Sequence, residues 1–378
     1  MRSFRRPLLA LLLAVLGAGF LSFGCSSGSS GIPAIFQDFQ LIEWVVAANR
    51  NSANVSVFEV RGGGQLQNNA GSPFAAGGPV NIIKFHPSGA FIYASSFNGG
   101  LVFGFAFNGV NGALTPLGGF PLATVANDFG LVMDRTGSFL YIIGATQIDG
   151  FAINPNNGAL TRLAGFPLAV AATDLNLGTI DASNRFLYAV DTGTDQIFGF
   201  TLNQATGALA PIAGTPIATG GVDPLAPNIE PGNLFLYVAH GNSTITGFSI
   251  NANTGALLPL VGFPVVYAGG AGTEGSGLVS RNAQLFVSDD GPDLMDSFII
   301  NPTTGALTPV PGYPVGPAGV QPAFLPTRNF LYLADFDVDN INVYRIDPGG
   351  AATLIENEAS GDGPSSLDTF VFSRPIAP

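Results

Sequence analysis

Apolar residues recur along the chain in short alternating or continuous runs. Phe151-Ala-Ile153 and Phe248-Ser-Ile250 place apolar side chains at alternate positions, and Phe235-Leu-Tyr-Val238 is a short continuous run. Clusters of Asn, Gly and Pro separate these runs, and no helical spacing of apolar residues follows residue 30. The pattern predicts short β-strands joined by tight turns.

The runs belong to a repeating unit. A Gly-Ala-Leu triplet recurs at intervals of 46 to 50 residues, beginning at Gly112, Gly158, Gly207, Gly255 and Gly305. Each unit has room for an inner strand, a second strand (Phe-Leu-Tyr), a third strand (Ile-x-x-Phe-x-Ile) and an outer strand (Ala-Leu-x-Pro). A four-stranded antiparallel unit of this length, repeated around an axis, is typical of a β-propeller blade.

Seven copies of the unit can be counted. The aromatic residue of the second strand, or its replacement, is found at Trp44, Phe91, Phe139, Phe186, Phe235, Leu285 and Phe330. The aromatic residue of the third strand is found at Phe58, Phe105, Phe151, Phe200, Phe248, Phe298 and Tyr344. We therefore predict an all-β, seven-bladed β-propeller.

The two ends of the repeat array complement each other. No recognisable inner strand precedes Trp44, whereas the chain ends in an unmatched inner-strand sequence from Ser366 to Ser373. We predict that this C-terminal strand completes the first blade, which closes the ring and removes the exposed sheet edges of an open array.

The N-terminus has the pattern of an export signal. Arg2, Arg5 and Arg6 precede an apolar run from Leu8 to Leu21, and small residues follow up to Cys25, the only cysteine. Leu21-Ser-Phe-Gly-Cys25 resembles a bacterial lipobox, although its Leu lies four residues before the cysteine instead of three. We predict a lipoprotein-type signal over residues 1–25, cleaved before Cys25, with Cys25 lipidated. A flexible tether (26–39) and the propeller (40–378) follow. The alternatives are ordinary cleavage of a secreted protein and a retained N-terminal anchor.

The composition is acidic. The chain has 13 basic and 25 acidic residues, and loss of the three arginines of the signal leaves 10 basic residues. Nucleic-acid binding needs a basic surface, so we expect no nucleic-acid partner.

The acids fall mainly on one side of the predicted ring. We call "acidic face" the surface made by the loops that join second to third strands and outer strands to the next inner strand. The acids on this face are Asp128, Asp174, Asp191, Asp195, Asp223, Glu274, Asp289, Asp290, Asp293, Asp335, Asp337, Asp339 and Asp362, against one cation, Arg50.

The opposite face carries arginines and acids in near balance. On the acidic face, seven acids are our candidate binding residues for a small-molecule or protein ligand: Asp128, Asp174, Asp191, Asp223, Glu274, Asp289 and Asp335. The alternative is that Asp merely forms turns and keeps an apolar protein soluble.

Few residues are candidates for chemistry. Of the two histidines, His86 lies in a predicted turn and is expected to be structural, whereas His240 lies on the acidic face, where neighbouring acids can raise its pKa. A single histidine without a nucleophile or an anion-binding donor is a poor catalyst, so His240 is only a weak catalytic candidate.

Cofactor signals are equally sparse. Asp335, Asp337 and Asp339 alternate as oxygen ligands of Ca²⁺ can, but the glycine and glutamate of an EF-hand loop are missing, so we expect no cofactor and regard Ca²⁺ as a weak alternative.

The repeat resembles the lactonase-like propeller family, which includes bacterial 6-phosphogluconolactonase and YVTN-type repeat proteins. Phe-Leu-Tyr-Val-Ala, Gly-Ala-Leu-Thr-Pro and Gly-Phe-Pro elements carry the resemblance over residues 40 to 374. The resemblance implies Arg and His side chains at the channel mouth, from a Gly-Pro-Arg-His and a Gln-Pro-Arg stretch. Here the corresponding stretches are Gly78-Pro-Val-Asn-Ile82 and Gln321-Pro-Ala323. No residue therefore inherits a catalytic role.

These observations favour a binding or scaffold protein at the cell envelope, monomeric, and attached to a membrane only through Cys25. Hydrolysis of a sugar or aromatic lactone is the alternative. We expect a periplasmic, outer-membrane or cell-surface location, with secretion as the alternative.

Overall fold

The computed structural model describes residues 39–97, 99–125, 128–268, 277–289, 293–325 and 327–375. This part of the chain contains β-strands, arranged in seven antiparallel sheets, and no α-helix. It therefore holds no helix that could span a membrane. The predicted signal segment, the tether and Cys25 lie outside the described residues.

Each sheet is one blade. Four of its strands follow one another from the channel outwards, and where a further short strand is present it pairs with the third strand. Blade 1 contains β1 (Phe39–Asn49), β2 (Asn54–Val60), β3 (Leu66–Asn68) and β4 (Phe74–Ala75). Blade 2 contains β5 (Val80–Phe85), β6 (Phe91–Ser96), β7 (Leu101–Phe107), β8 (Leu114–Pro116) and β9 (Leu122–Ala123). Blade 3 contains β10 (Asp128–Met133), β11 (Phe139–Gly144), β12 (Gln147–Ile153), β13 (Leu160–Arg162) and β14 (Leu168–Ala169).

The remaining blades repeat this order. Blade 4 contains β15 (Leu175–Ile180), β16 (Phe186–Asp191), β17 (Gln196–Leu202), β18 (Leu209–Pro211) and β19 (Ile217–Ala218). Blade 5 contains β20 (Pro224–Ile229), β21 (Phe235–His240), β22 (Thr244–Ile250), β23 (Leu257–Pro259) and β24 (Val265–Val266). Blade 6 contains β25 (Gly277–Arg281), β26 (Gln284–Asp289), β27 (Leu294–Ile300) and β28 (Leu307–Pro309). Blade 7 contains β29 (Val320–Phe324), β30 (Phe330–Asp335), β31 (Asn340–Ile346) and β32 (Ala352–Ala359).

The ring is closed by the C-terminus, as predicted. Strand β33 (Pro364–Pro375) pairs antiparallel with the whole of β1, from Phe39 opposite Pro375 to Asn49 opposite Pro364. The sheet order β3-β2-β1-β33 makes β33 the inner strand of blade 1. The first and last strands of the chain thus share one sheet.

Apolar side chains between neighbouring blades form the core. Because side chains alternate across a strand, each second strand sends one set of residues to each neighbouring blade. Tyr141 and Ile143 of β11 pack towards blade 4, whereas Leu140 and Ile142 pack towards blade 2. Burying a large apolar side chain contributes about 2 to 3 kcal/mol, so these interfaces dominate stability.

An aromatic hydrogen bond joins every pair of neighbouring blades. In each case a buried aromatic side chain donates to a glycine carbonyl in the turn between the third and outer strands of the next blade. Following the ring, the pairs are Trp44 and Gly109 (3.0 Å), Tyr93 and Gly158 (2.7 Å), Tyr141 and Gly207 (2.7 Å), Tyr188 and Gly255 (2.6 Å), Tyr237 and Gly305 (2.7 Å), Tyr313 and Gly350 (2.9 Å), and Tyr332 and Gly64 (3.0 Å).

The Gly-Ala-Leu triplet is explained by these joints. Gly158 has a φ of +70°, and a Cβ atom added there would lie 2.6 Å from Cδ1 of Phe91 in the preceding blade. Glycine adopts positive φ without steric penalty, and here its missing side chain also admits the neighbouring ring. The triplet therefore marks the point where one blade contacts the previous one.

Candidate functional site

A cavity of about 520 Å³ lies in the central channel and is lined by the inner strands. Its lining includes Pro87 and Arg135, which lie in the turns after two inner strands, so the cavity reaches the face opposite the acidic face. Apolar residues such as Ile82, Leu131 and Leu177 line the cavity together with polar and charged ones, which contribute slightly more of its exposed surface. The volume is that of a small-molecule site.

Strand register identifies a ring of equivalent positions around this cavity. In blades 2 to 7 each is the inner-strand residue opposite the third residue of the second strand: Lys84, Val132, Thr179, Asn228, Val279 and Ala323. In blade 1 it is Asp368, which lies opposite Val46, two positions after Trp44. All but Ala323 line the cavity, and its strand neighbours Gln321 and Pro322 do so instead.

Lys84 is the only lysine of the chain and lies in this ring. Its side chain is half-buried, and within the described part of the chain no hydrogen bond or ion pair of that side chain is found. The adjacent acid, Asp368, is bonded instead to the backbone: Phe85 N donates to its Oδ2 at 2.7 Å. Sequence analysis missed Lys84, although a sole lysine within a predicted inner strand was a visible signal.

A second acid and cation lie at the channel opening beside Lys84. The Asp134 carboxylate is buried and accepts hydrogen bonds from Phe139 N (2.6 Å) and from the Thr136 hydroxyl. Arg135 is exposed, and only its backbone amide is seen bonded, to Asn184 Oδ1 at 2.8 Å. Both carboxylates at this opening are thus engaged by backbone amides, whereas both cationic side chains face the channel or solvent.

On the acidic face, half-exposed acids gather between blades 4 and 5. Asp195 Oδ1 accepts a hydrogen bond from Asp223 N at 2.7 Å, and Thr192 Oγ1 donates to Asp174 Oδ2 at 2.9 Å. Burial raises the pKa of Asp223, and the charges of Asp195 and Asp174 raise it further. The predicted concentration of negative charge is present here.

Of the five candidate binding acids whose side chains the structure describes, three are buried. Asp191, Asp289 and Asp335 are each the last residue of a second strand and are at most 2% exposed. Asp191 accepts hydrogen bonds from the backbone amides of Thr173, Asp174 and Gly193. These carboxylates hold the adjoining loops and do not face solvent.

The hydrogen bonds of Asp191 and Asp335 have different consequences for their pKa values. Burial alone would raise the pKa of Asp191, but its several hydrogen bonds lower it overall. Burial raises the pKa of Asp335, although hydrogen bonds from Asn342 Nδ2 (3.0 Å) and from the Val338 backbone oppose the shift. The number of hydrogen-bond donors decides whether burial or hydrogen bonding sets the direction of the pKa shift. Of the remaining candidates, Glu274 and the side chain of Asp128 lie outside the described structure.

The one cation of the acidic face is not free. The Arg50 guanidinium lies 4.3 Å from the ring centre of Phe97 and 4.2 Å from that of Phe336. These rings belong to the loops after the second strands of blades 2 and 7. Cation–π contact on both sides holds Arg50 as a structural clamp across the closure of the ring.

His240 is the last residue of β21, and its imidazole is fully buried. Nδ1 lies 3.2 Å from Thr244 O, and Nε2 has no hydrogen-bond partner in the described structure. Burial lowers the pKa of His240 and outweighs the opposing charge of Asp195. The expectation that neighbouring acids raise this pKa is therefore wrong, because desolvation dominates.

His86 has the structural role expected for it. It is 5% exposed, and its ring nitrogens lie 2.7 Å from Ser88 Oγ and 2.9 Å from Gly137 O. The second contact joins a turn of blade 2 to the corresponding turn of blade 3.

The three candidate calcium ligands have different surroundings. Asp335 is buried, Asp337 is exposed, and Asp339 Oδ1 accepts a hydrogen bond from Gly363 N at 2.8 Å. Within the described ranges no group of three or more His, Cys, Asp or Glu residues could hold a metal ion.

The stretches that correspond to the catalytic motifs of the resembled family bear no catalytic side chain here. Asn81 is nearly buried, and its Nδ2 donates to Phe129 O at 3.0 Å, which ties the inner strand of blade 2 to that of blade 3. Ala323 is 8% exposed and packs in the core between blades 7 and 1.

Solved structures of similar fold include three bacterial propellers. A protein from Bacteroides fragilis, provisionally described as a 6-phosphogluconolactonase, aligns with a TM-score of 0.71 and 20% identity over 87% of this chain and 98% of its own. The periplasmic gluconolactonase of Pseudomonas aeruginosa aligns with a TM-score of 0.71 and 18% identity over 87% of this chain and 99% of its own. A Lactobacillus plantarum protein aligns with a TM-score of 0.70 and 16% identity over 88% of this chain and 100% of its own.

At such identities the likeness concerns the fold alone. No curated protein sequence matches the chain. The family profile described as "Lactonase, 7-bladed beta-propeller" matches residues 44–271 and 177–368, which together span all seven blades. The chain therefore belongs to the lactonase family of seven-bladed β-propellers.

Proposed function

We propose that this member of the lactonase family is an exported, lipid-anchored binding or scaffold protein of the cell envelope that does not hydrolyse lactones. One observation carries the proposal: the side chains at the family's catalytic positions are Val80, Asn81 and Ala323, none of which can transfer a proton or carry positive charge.

Lactone hydrolysis needs groups that these positions lack. A base must accept a proton from water, and hydrogen-bond donors must stabilise the developing oxyanion; these contributions are worth roughly 10²- to 10⁴-fold and 10²- to 10³-fold in rate. His240 is sealed within blade 5, and Arg50 is held between two phenylalanine rings. Neither can approach a substrate at the acidic face without rearrangement of the loops.

Charge also disfavours a phosphorylated lactone. Asp174, Asp195 and Asp223 lie together on the acidic face, and burial and mutual repulsion already raise the pKa of Asp223. A phosphate group beside them would meet repulsion of about 1 kcal/mol for each close charge pair even in water.

Export and anchoring are supported by the N-terminal sequence. A positive start, an apolar segment and a cysteine preceded by small residues form the pattern of a lipoprotein signal. Several acyl chains on Cys25 would make membrane attachment effectively permanent, since each buried methylene contributes about 0.8 kcal/mol.

Hydrolysis of a sugar or aromatic lactone is the second candidate function, because the chain belongs to the lactonase family and shares its fold with a protein named as a periplasmic gluconolactonase. A panel of lactones separates the two functions. The purified protein is incubated with gluconolactone, 6-phosphogluconolactone and an aromatic lactone, and ring opening is followed against buffer and heat-denatured protein.

We expect the lactones to open at the same rate with the purified protein as in buffer or with heat-denatured protein. Turnover above them for any lactone would overturn the proposed function and favour the hydrolase.

A further inference from the structure

The central cavity has one side chain whose partner is unaccounted for. Lys84 is half-buried in the channel wall and, within the described residues, makes no hydrogen bond or ion pair. The ammonium group of a half-buried lysine is stabilised by a counter-charge or by hydrogen-bond acceptors. The channel around it is where such an acceptor would have to lie.

The nearest acid does not serve as that acceptor. Asp368 is the register-equivalent residue of blade 1, yet its Oδ2 is bonded to Phe85 N at 2.7 Å, and its distance from the lysine exceeds that of an ion pair. Asp134 is likewise bonded to Phe139 N. Lys84 and Arg135 both line the cavity and form no ion pair among the described residues, whereas the carboxylates of its two acids accept backbone hydrogen bonds.

Other blades contribute neutral polar groups at the same level. Thr179 and Asn228 hold the equivalent positions in blades 4 and 5. Asn228 Oδ1 accepts a hydrogen bond from Ser280 Oγ at 2.6 Å, which orients its amide group. Apolar residues, among them Ile82, Leu131 and Leu177, line the cavity next to this level.

We propose that this cavity is a binding site for a small amphiphilic monocarboxylate, whose carboxylate pairs with Lys84 while its hydrocarbon part lies against the apolar residues of the wall. The inference rests on the proposed binding function and names its ligand class. A cavity of about 520 Å³ lies within the range of small-molecule sites.

A monoanion fits this cavity better than a phosphate group. Lys84 can neutralise one charge, and the carboxylates of Asp134 and Asp368, which also line the cavity, would repel the second charge of a phosphate. The acids of the acidic face lie at the other end of the ring, and Arg135 stands at the opening nearest the cavity. The ligand therefore enters from the face opposite the acidic face.

Calorimetric titration of the full chain tests the site with three ligands that share one hydrocarbon tail: octanoate, the neutral octanamide and octyl phosphate. We expect octanoate to bind about tenfold more tightly than octanamide, because a charge-assisted contact of about 1.4 kcal/mol corresponds to a tenfold difference in Kd. Octyl phosphate should bind more weakly than octanoate.

Lys84→Met keeps the length of the side chain and removes its charge, so it should abolish the preference for octanoate over octanamide. Thr115→Val changes an exposed residue on the outer strand of the same blade, away from the cavity, and should keep the preference. Because the readout is a ratio of two ligands within one variant, a general loss of stability does not imitate the result.

Failure of octanoate to bind, or an unchanged preference in Lys84→Met, would overturn the proposal. So would tighter binding of octyl phosphate. Each of these results leaves the lactone panel to decide the proposed function, and lactone turnover would overturn that function without altering the titration.

Discussion

The Tyr332 hydroxyl donates a hydrogen bond of 3.0 Å to the carbonyl oxygen of Gly64, from the last blade to the first. The bond is the same one that Tyr141 makes to Gly207 between blades 3 and 4. The closing joint is therefore built like a joint within the ring, although its two residues lie 268 positions apart in the sequence. Burial raises the pKa of both tyrosines above the ordinary value, so each hydroxyl remains a donor at all physiological pH values.

The aromatic joints predict a matched loss of stability around the ring. Tyr141→Phe and Tyr237→Phe each remove one donor and leave a buried glycine carbonyl unpaired, which should lower the free energy of unfolding by about 1 to 3 kcal/mol. Urea unfolding followed by tryptophan fluorescence measures the change.

Removal of an exposed hydroxyl is the control for these variants. Thr115→Val lies on the outer strand β8 and should change the unfolding free energy by less than about 0.5 kcal/mol. Equal effects of Tyr237→Phe and Thr115→Val would show that the inter-blade bonds do not stabilise the ring.

Ring closure predicts a global effect of a short truncation. A chain that ends at Gly363 lacks β33 and leaves the whole of β1 unpaired on its inner side. We expect the cooperative thermal transition to disappear, because a lost inner strand exposes the interfaces of blade 1 with both neighbours. A chain that ends at Pro375 retains every strand pair and should melt like the full chain. An unchanged melting temperature after truncation at Gly363 would contradict closure by β33.

Lipidation predicts the partition of the protein in its native host. Cys25→Ser removes the only thiol and should move the protein from the membrane fraction to the soluble fraction. Detergent phase separation, followed by immunoblotting, measures this partition. Ser26→Ala, one residue further along, is the control and should remain in the membrane fraction. Equal partition of Cys25→Ser and the wild-type protein would rule out a lipid anchor on this residue.

The buried His240 predicts a specific pH dependence of stability. Burial lowers its pKa in the folded protein below the ordinary 6.5. The unfolded chain therefore takes up a proton first as the pH falls, and the folded state loses up to about 1.4 kcal/mol per pH unit below 6.5, until the folded pKa is reached. His240→Leu should remove this loss, so its unfolding free energy should fall less than that of the wild type between pH 7 and pH 5.

Comparison of the wild type with His240→Leu cancels the contribution of the carboxyl groups to the pH dependence of the unfolding free energy. Burial raises the pKa values of Asp223, Asp293 and Asp335, so these groups bind protons more readily in the folded state and act in the opposite direction at lower pH. They are present in both proteins. Parallel pH profiles for the wild type and His240→Leu would contradict a buried, neutral imidazole.

Local patterns in the sequence were sufficient for the fold. The Gly-Ala-Leu triplets set the blade length, the recurring aromatic residues gave the number of blades, and the unmatched strand from Ser366 to Ser373 indicated how the ring closes. The physical reason is that each blade repeats the same strand alternation and turn chemistry, so a short segment contains the information for one blade. The family resemblance was confirmed for the same reason, because its motifs are the structural ones.

The candidate site depended on contacts between residues far apart in the sequence. The sequence shows the acids of the acidic face. It does not distinguish half-exposed Asp223 from buried Asp191, because both are aspartates at the edges of loops. It could not predict that burial would lower the pKa of His240 against the pull of Asp195, since desolvation depends on the packing of blade 4 against blade 5.

Lys84 and Asp368 belong to blades 2 and 1 and lie 284 residues apart, and only closure of the ring brings Phe85 N to the Asp368 carboxylate. The sequence alone thus determined the repeat, the number of blades and the family. The tertiary structure decided which carboxylates are engaged by the backbone and that Lys84 faces the channel without a partner among the described residues.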